Sequence, residues 1–181
     1  MGIKRTVEPA TSPVTTTEAK THLRVTTSDH DTRIAQLILA ATSIIENKAG
    51  ASIIAQTWKL TLDKFSDAIE LPRGPVQSVA SVQYYDAAGT LQTVSAADYT
   101  LDDQSAPQCI VRNQNATWPA TQDRINAVEI TYVAGFATLP DDIKHAVLLL
   151  VGHWFHDAEG KDFPHVVDLL IANYRAGWVG A

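Results

Sequence analysis

Three histidines, His145, His153 and His156, fall inside the stretch HAVLLLVGHWFHDAEG (residues 145–160), with Asp157 and Glu159 close behind. Imidazole and carboxylate groups are ligands for zinc, so metal-assisted hydrolysis is the first chemistry to weigh. On a helix, His145 and His156 share a direction but stand about 16 Å apart along the axis at 1.5 Å per residue, too far to share one ion. His153 and His156 are three residues apart and could bind together. A third ligand would have to come from Asp157, His165 or a residue of the β-rich segment between the helices. The H-E-x-x-H pattern is absent, because position 154 is Trp and the second histidine follows after two residues, not three. Trp154 and Phe155 between the candidate ligands suit packing better than catalysis, and a histidine near the negative end of a helix is stabilised there without a metal.

Other chemistries find less support. The chain has no G-x-S-x-G, no G-x-x-x-x-G-K-[ST] and no G-x-G-x-x-G, so neither a nucleophile elbow nor a phosphate-cradling loop is expected, and no cofactor is implied. The acidic pairs Asp102–Asp103 and Asp141–Asp142 lie where a turn and a helix start are expected, positions that favour Asp for structural reasons. Cys109 is the single cysteine, so an internal disulfide and a zinc–thiolate site are both excluded. Its context, PQCIVRN, reads as a strand with a buried thiol. A net charge of -6 with no basic face argues against strong non-specific DNA binding. A DNA-binding packaging protein would need a concentrated basic helix, and MGIKR alone is weak. The longest apolar run, AVLLLVG, is far too short to span a membrane. Trp118, in a polar loop, and Trp178, near the C-terminus, are candidate contact anchors; the alternative for Trp118 is packing back on the sheet.

The elements that would position these residues follow from periodicity. Residues 1–16 are rich in Thr, Pro and Ser and read as a flexible arm or extended lead-in. Thr15-x-x-Glu18 forms a capping box for a short helix with Ala19 and Leu23 facing inward. Ser28 or Asp29 can cap a second, long helix with apolar residues at Ile34, Leu37, Ile38, Ala41, Ile44 and Ile45, and Gly50 is placed to stop it. From about 55 to 134 the period changes to two, in AQTWKLTLDKF, AIELP, VASVQYYD, TLQTV, DYTLD, CIVRN and NAVEITYVAGF: six to seven short strands, expected to form a small, largely antiparallel sheet or barrel. A third long helix follows, with Thr138 or Asp141 as cap, Pro140 in its first turn and Gly160 at its end. It is apolar nearly all round, so it should be buried. A last helix carries Val167, Leu170, Ile171 and Tyr174 on one stripe.

Neither helical half looks sufficient alone. The expected fold is therefore α+β: a helical bundle formed by the N- and C-terminal helices, with a small antiparallel β domain inserted between them. The boundaries are an arm at 1–16, a discontinuous bundle at 17–50 plus 138–176, a β-rich insert at 51–137 and a tail at 177–181.

Taken in order, TTTEAKTHLRVTTSDHDTRIAQLILAATSIIENKAGASIIAQTWKLTLDKF, then IELPRGPVQSVASVQYYDAAG, then ITYVAGF and LPDDIKHAVLLLVGHWFHDAEG, closely resemble the bacteriophage head–tail connector family, also called adaptor or head-completion proteins. The likeness covers residues 14–176. The EAK-x-HLRV helix, the Q-T-W strand, the L-P-x-x-P-V-x-S-V strand–turn–strand and the G-H-W of the long C-terminal helix carry it. The N-terminal arm is longer than the family pattern.

The resemblance implies a structural virion protein at the head–tail junction, assembled in the bacterial host cytoplasm. It implies a homo-oligomeric ring, commonly twelve-fold, beneath the portal protein. Such a ring extends the DNA channel without specific DNA binding and docks the stopper, a tail-completion protein or the tail. It implies no enzyme, no cofactor and no membrane, and makes the histidine-bearing helix the packed centre of the bundle. Ring contacts would be heterologous and are expected at the helix over 30–48 and at the loops around 86–89 and 113–122. Tyr174, Arg175 and Trp178, an aromatic and basic C-terminal segment, are expected to dock the portal.

Overall fold

The structure is a computed structural model that describes residues 1–157 and 163–175. It is mixed α and β, with four α-helices and antiparallel sheets among the described residues.

Helix α1 spans Thr16–Leu23 and begins at the capping box read from the sequence. The Thr15 hydroxyl accepts from the Glu18 amide, and the Glu18 carboxylate accepts from the Thr15 amide at 2.8 Å. Ala19 and Leu23 face the core and His22 is exposed. Helix α2 spans Asp31–Ala49 and buries Ile34, Ile38, Ala41 and Ile45 of the expected stripe, while Leu37 is half-buried and Ile44 is exposed. Neither Ser28 nor Asp29 caps it. His30 holds the cap position without a side-chain bond, because its ring lies edge-on against Phe155, 5.4 Å between centroids. Gly50 ends α2 in the left-handed conformation at φ 67°.

The N-terminal segment departs from the expected flexible arm. Gly2–Val7 forms strand β1, paired antiparallel with β2 (Gln56–Leu62) from Gly2↔Thr61 to Val7↔Thr57. All six residues are exposed, so no hydrophobic pattern announces the strand; backbone pairing and Arg5 hold it. Seven further strands follow the order expected from the sequence: β2, β3 (Ala68–Glu70), β4 (Val76–Tyr85), β5 (Leu91–Thr93), β6 (Tyr99–Asp102), β7 (Cys109–Arg112) and β8 (Val128–Ala134). They form a five-stranded sheet ordered β1-β2-β8-β4-β5 and a three-stranded sheet ordered β3-β7-β6. In β2 and β8 alternate residues are buried, and the register sets Trp58 opposite Tyr132 and Leu60 opposite Ile130, so the apolar partners share a face.

Helix α3 spans Asp141–His156, and α4 spans His165–Ile171, followed by a 3-10 turn at Ala172–Tyr174. Pro140 is the N-cap of α3, without a side-chain cap from Thr138 or Asp141. The helix ends at His156, ahead of Gly160, which lies outside the described residues. Its last carbonyls have other partners: Asp157 N–H donates to His153 O, and Arg33 donates to Phe155 O at 3.2 Å.

Two apolar cores result. One draws on Val14, Leu23, Ile34, Ile45, Ile53, Leu150 and Ile171 and their neighbours; the other joins the two sheets through Trp58, Leu60, Leu71, Val82, Ile110 and Tyr132. Between them, Gly135 lets the end of β8 pass against the α2–β2 connection. A side chain there would put its Cβ 2.4 Å from the Ile54 carbonyl carbon, at φ 139°.

Candidate functional site

Helix α3 sits between α1, α2 and α4, with Ile143, Ala146, Val147, Leu150 and Val151 buried. Its histidines go separate ways. His145 is exposed and meets His22 of α1 edge-on, 6.4 Å between ring centroids. His156 rests against Phe155 at 5.4 Å. His153 turns Nε2 into a buried position with no hydrogen-bond partner among the described residues. No group of three His, Cys, Asp or Glu side chains among those residues comes together as a metal site. What does converge at this helix end is aromatic and cationic: the Arg33 guanidinium lies over the Phe155 ring at 5.1 Å while bonding its carbonyl.

The acidic pairs have structural partners. Asp102 accepts from the Ser105 hydroxyl first, then from the amides of Gln104 and Ser105 at 3.0 and 3.1 Å, bonds that lower its pKa and close the β6–β7 turn. Asp142 accepts from the Tyr174 hydroxyl at 2.8 Å. Burial first, and the Asp142 bond second, push the Tyr174 phenol up to about 12. Cys109 is buried and unpaired, and burial raises its thiol pKa, helped by the charges of Asp102 and Glu70.

Of the expected partner-binding residues, Tyr174 and Arg175 do not sit on a loose end. Tyr174 also packs edge-on against Phe136 at 5.5 Å. Arg175 bonds Asp168, which Lys48 of α2 reaches from the other side at 3.4 Å. Burial alone would raise the Asp168 carboxyl; these two cations hold it below its ordinary value. Tyr174 thus ties the turn after α4 to α3, Arg175 ties it back onto α4 itself, and Trp178 lies outside the described residues. Trp118 packs back on the sheet: it stacks on Phe65 with centroids 4.6 Å apart and rings 2° from parallel, and Phe65 meets Tyr84. Its indole nitrogen is buried without a hydrogen-bond partner among the described residues.

The loops named as ring contacts are brought together at one end of the large sheet. Gln122 N–H donates to Tyr85 O at 2.9 Å, its side chain lies beside Gly89, and Arg124 covers the Tyr85 ring at 4.2 Å. Leu91, at the start of β5, and Ile125, next to Arg124 in sequence, are exposed, the latter at 75%. The outer face of α2 exposes Leu39 (66%) and Ile44. A monomer with these groups in water has apolar area available for a partner.

Sequence reasoning missed the junction between the two cores. Glu46, 6% exposed, accepts from the Ile53 amide at 2.8 Å and the Gln56 side-chain amide at 2.6 Å through the same oxygen. Its other oxygen faces Arg5 of β1 at 3.8 Å, and Arg5 also donates to Gln56 at 3.1 Å. Arg73 donates to the Glu46 carbonyl and the Asn47 side chain, each at 3.2 Å, and lies over Trp58, whose indole donates to Ser52. A signal was present: a glutamate in the last turn of a helix opposes the helix dipole, so it needs a partner elsewhere.

Residues 14–164 match the head completion protein family. Among curated proteins none matches. Among solved structures, a chain in the neck of an empty gene transfer agent (GTA) particle, computed with C6 symmetry, superposes with a TM-score of 0.78 at 26% identity, covering 97% of this chain and 96% of that one. A chain in the virion of a native GTA particle gives the same values. A chain in the neck of a native GTA particle computed with C12 symmetry gives a TM-score of 0.68 at 26% identity, covering 94% and 95%. With residues 14–164 matched by its model, the chain belongs to the head completion protein family.

Proposed function

We propose that this protein is a structural connector at the head–tail junction of a phage-like particle. Copies form a ring, twelve-fold in the assembled particle, beneath the portal protein. The ring extends the DNA channel and presents the surface on which the stopper or tail docks. The observation that carries this reading is the match over residues 14–164, supported by likeness to chains of gene transfer agent necks computed with C6 and C12 symmetry.

In the same reading the chain is one helical bundle, residues 17–50 plus 138–176, carrying the β-rich insert 51–137. The separate helical and sheet cores support that division. Tyr174 and Arg175, tied to Asp142 and Asp168, fix the point from which the segment bearing Trp178 leaves to dock the portal. Trp118 braces the loop next to the sheet end, and DNA passes without specific binding because the chain is acidic.

The test is to incubate purified portal rings with this protein and image the complexes by electron microscopy. The reading predicts an added ring on one face of the portal, lost when Trp178→Ala is used. Portals that stay bare with the unaltered protein would contradict it.

A further inference from the structure

The five-stranded sheet has two open edges, β1 and β5, with three strands between them. At one, β1 exposes all six residues, with Ile3 40% and Val7 56% exposed. At the other, β5 exposes all three, with Leu91 42% exposed. An uncovered edge presents unpaired backbone N–H and C=O groups and is a template for a strand from another chain. Charge differs between the two. Lys4 on β1 makes no ion pair among the described residues, while Asp86, in the turn between β4 and β5, accepts from the Gln92 side chain of β5 at 2.9 Å.

We propose that β1 of one copy adds to β5 of the next, so that successive copies share one continuous sheet through two different edges of the same molecule. The proposal rests on the ring reading above and names the surface that reading leaves open. Joining unlike edges is a heterologous contact, the kind that closes into a ring, whereas β1 against β1 gives only a two-fold dimer. The direction follows from the topology. Every neighbouring pair in the five-stranded sheet is antiparallel, so the first and fifth strands run the same way. Turning from one copy to the next through a small angle keeps that sense, and β1 meets the neighbour's β5 in parallel.

Paired cysteines test this in assembled particles, in a Cys109→Ser background. Adjacent strands lie about 4.8 Å apart, within the Cα separation of about 4.4–6.8 Å that a disulfide tolerates. Combining Ile3→Cys or Arg5→Cys with Leu91→Cys or Thr93→Cys gives four double variants. After oxidation, a non-reducing gel should show a ladder from dimer to higher multimers for Ile3/Leu91 and Arg5/Thr93, the parallel pattern. Each single variant should stay monomeric. Rings visible by microscopy with no ladder in any pair would overturn the edge contact and leave the ring reading standing. A ladder that stops at dimer, given by Ile3→Cys alone, would mean β1 pairs with β1 and would also overturn it. Particles without any ring of this protein would remove the ring reading and this proposal with it.

Discussion

Replacing Glu46 by alanine removes the acceptor on which the two cores meet. The Ile53 amide and the Gln56 side chain both donate to one Glu46 oxygen in a buried setting, and Arg5 faces the other. The lost contact to Arg5 adds little, because that side chain is 36% exposed and keeps Glu8 and Gln56. Each orphaned buried donor costs about 1–3 kcal/mol, so the two together should cost about 4 kcal/mol. For a chain of this size that corresponds to a fall in Tm of roughly 8–16 °C, at about 2–4 °C per kcal/mol. Glu46→Gln keeps one carbonyl oxygen for both donors and gives up only the longer contact to Arg5, so it should cost about 1 kcal/mol. Urea unfolding checks both, read as a shift in midpoint at constant slope. An alanine variant losing less than about 1 kcal/mol would refute the claim that this carboxylate joins the halves. Equal losses for alanine and glutamine would show that charge, not acceptor geometry, is what matters there.

Four further outcomes are expected. Glu18 is held down at about 2, against an ordinary 4.5, by Lys144 first and the Thr15 bonds second. A lowered folded pKa stabilises above the unfolded value and is lost as pH falls, so thermal melts should weaken between about pH 4.5 and 2, and Lys144→Ala should flatten that limb. Arg33→Ala removes both the carbonyl bond and the ring contact at the end of α3, costs about 1 kcal/mol, and should speed hydrogen exchange at the last amides of that helix. Trp118→Ala loses the Phe65 stack, worth about 0.5–1.5 kcal/mol beyond the area buried, so its destabilisation should exceed that of Trp118→Phe. Protein purified without a histidine tag should hold well under one zinc per chain, with a Tm unmoved by EDTA; stoichiometric zinc would revive His153 and His156 as ligands.

Much of the fold was legible because two periodicities dominate the chain. The stripe Ile34, Ile38, Ala41, Ile45 and the alternation through Trp58 and Leu60 each report one buried face, and the capping box at Thr15 fixes a helix start. β1 was not legible, because a strand exposed on both faces carries no alternation and its order depends on β2, some 50 residues away. The cap of α2 was misjudged for a related reason: His30 is placed by Phe155, a long-range contact that outweighs the local preference for Ser28 or Asp29. At the candidate site, residue types pointed to Tyr174 and Arg175 as free contact groups, whereas Asp142 and Asp168 occupy them. Asp142 lies 32 residues from Tyr174, so no local pattern links them, whereas Asp168 is seven residues before Arg175 and that pairing was open to a helical reading. Glu46 was readable only as an anomaly against the helix dipole, since its donors come from β1, the α2–β2 connection and β2.

The most direct measurement is electron microscopy of particles made by a strain that lacks this protein. The connector account predicts DNA-filled heads and separate, complete tails that fail to join. Intact tailed particles would contradict it.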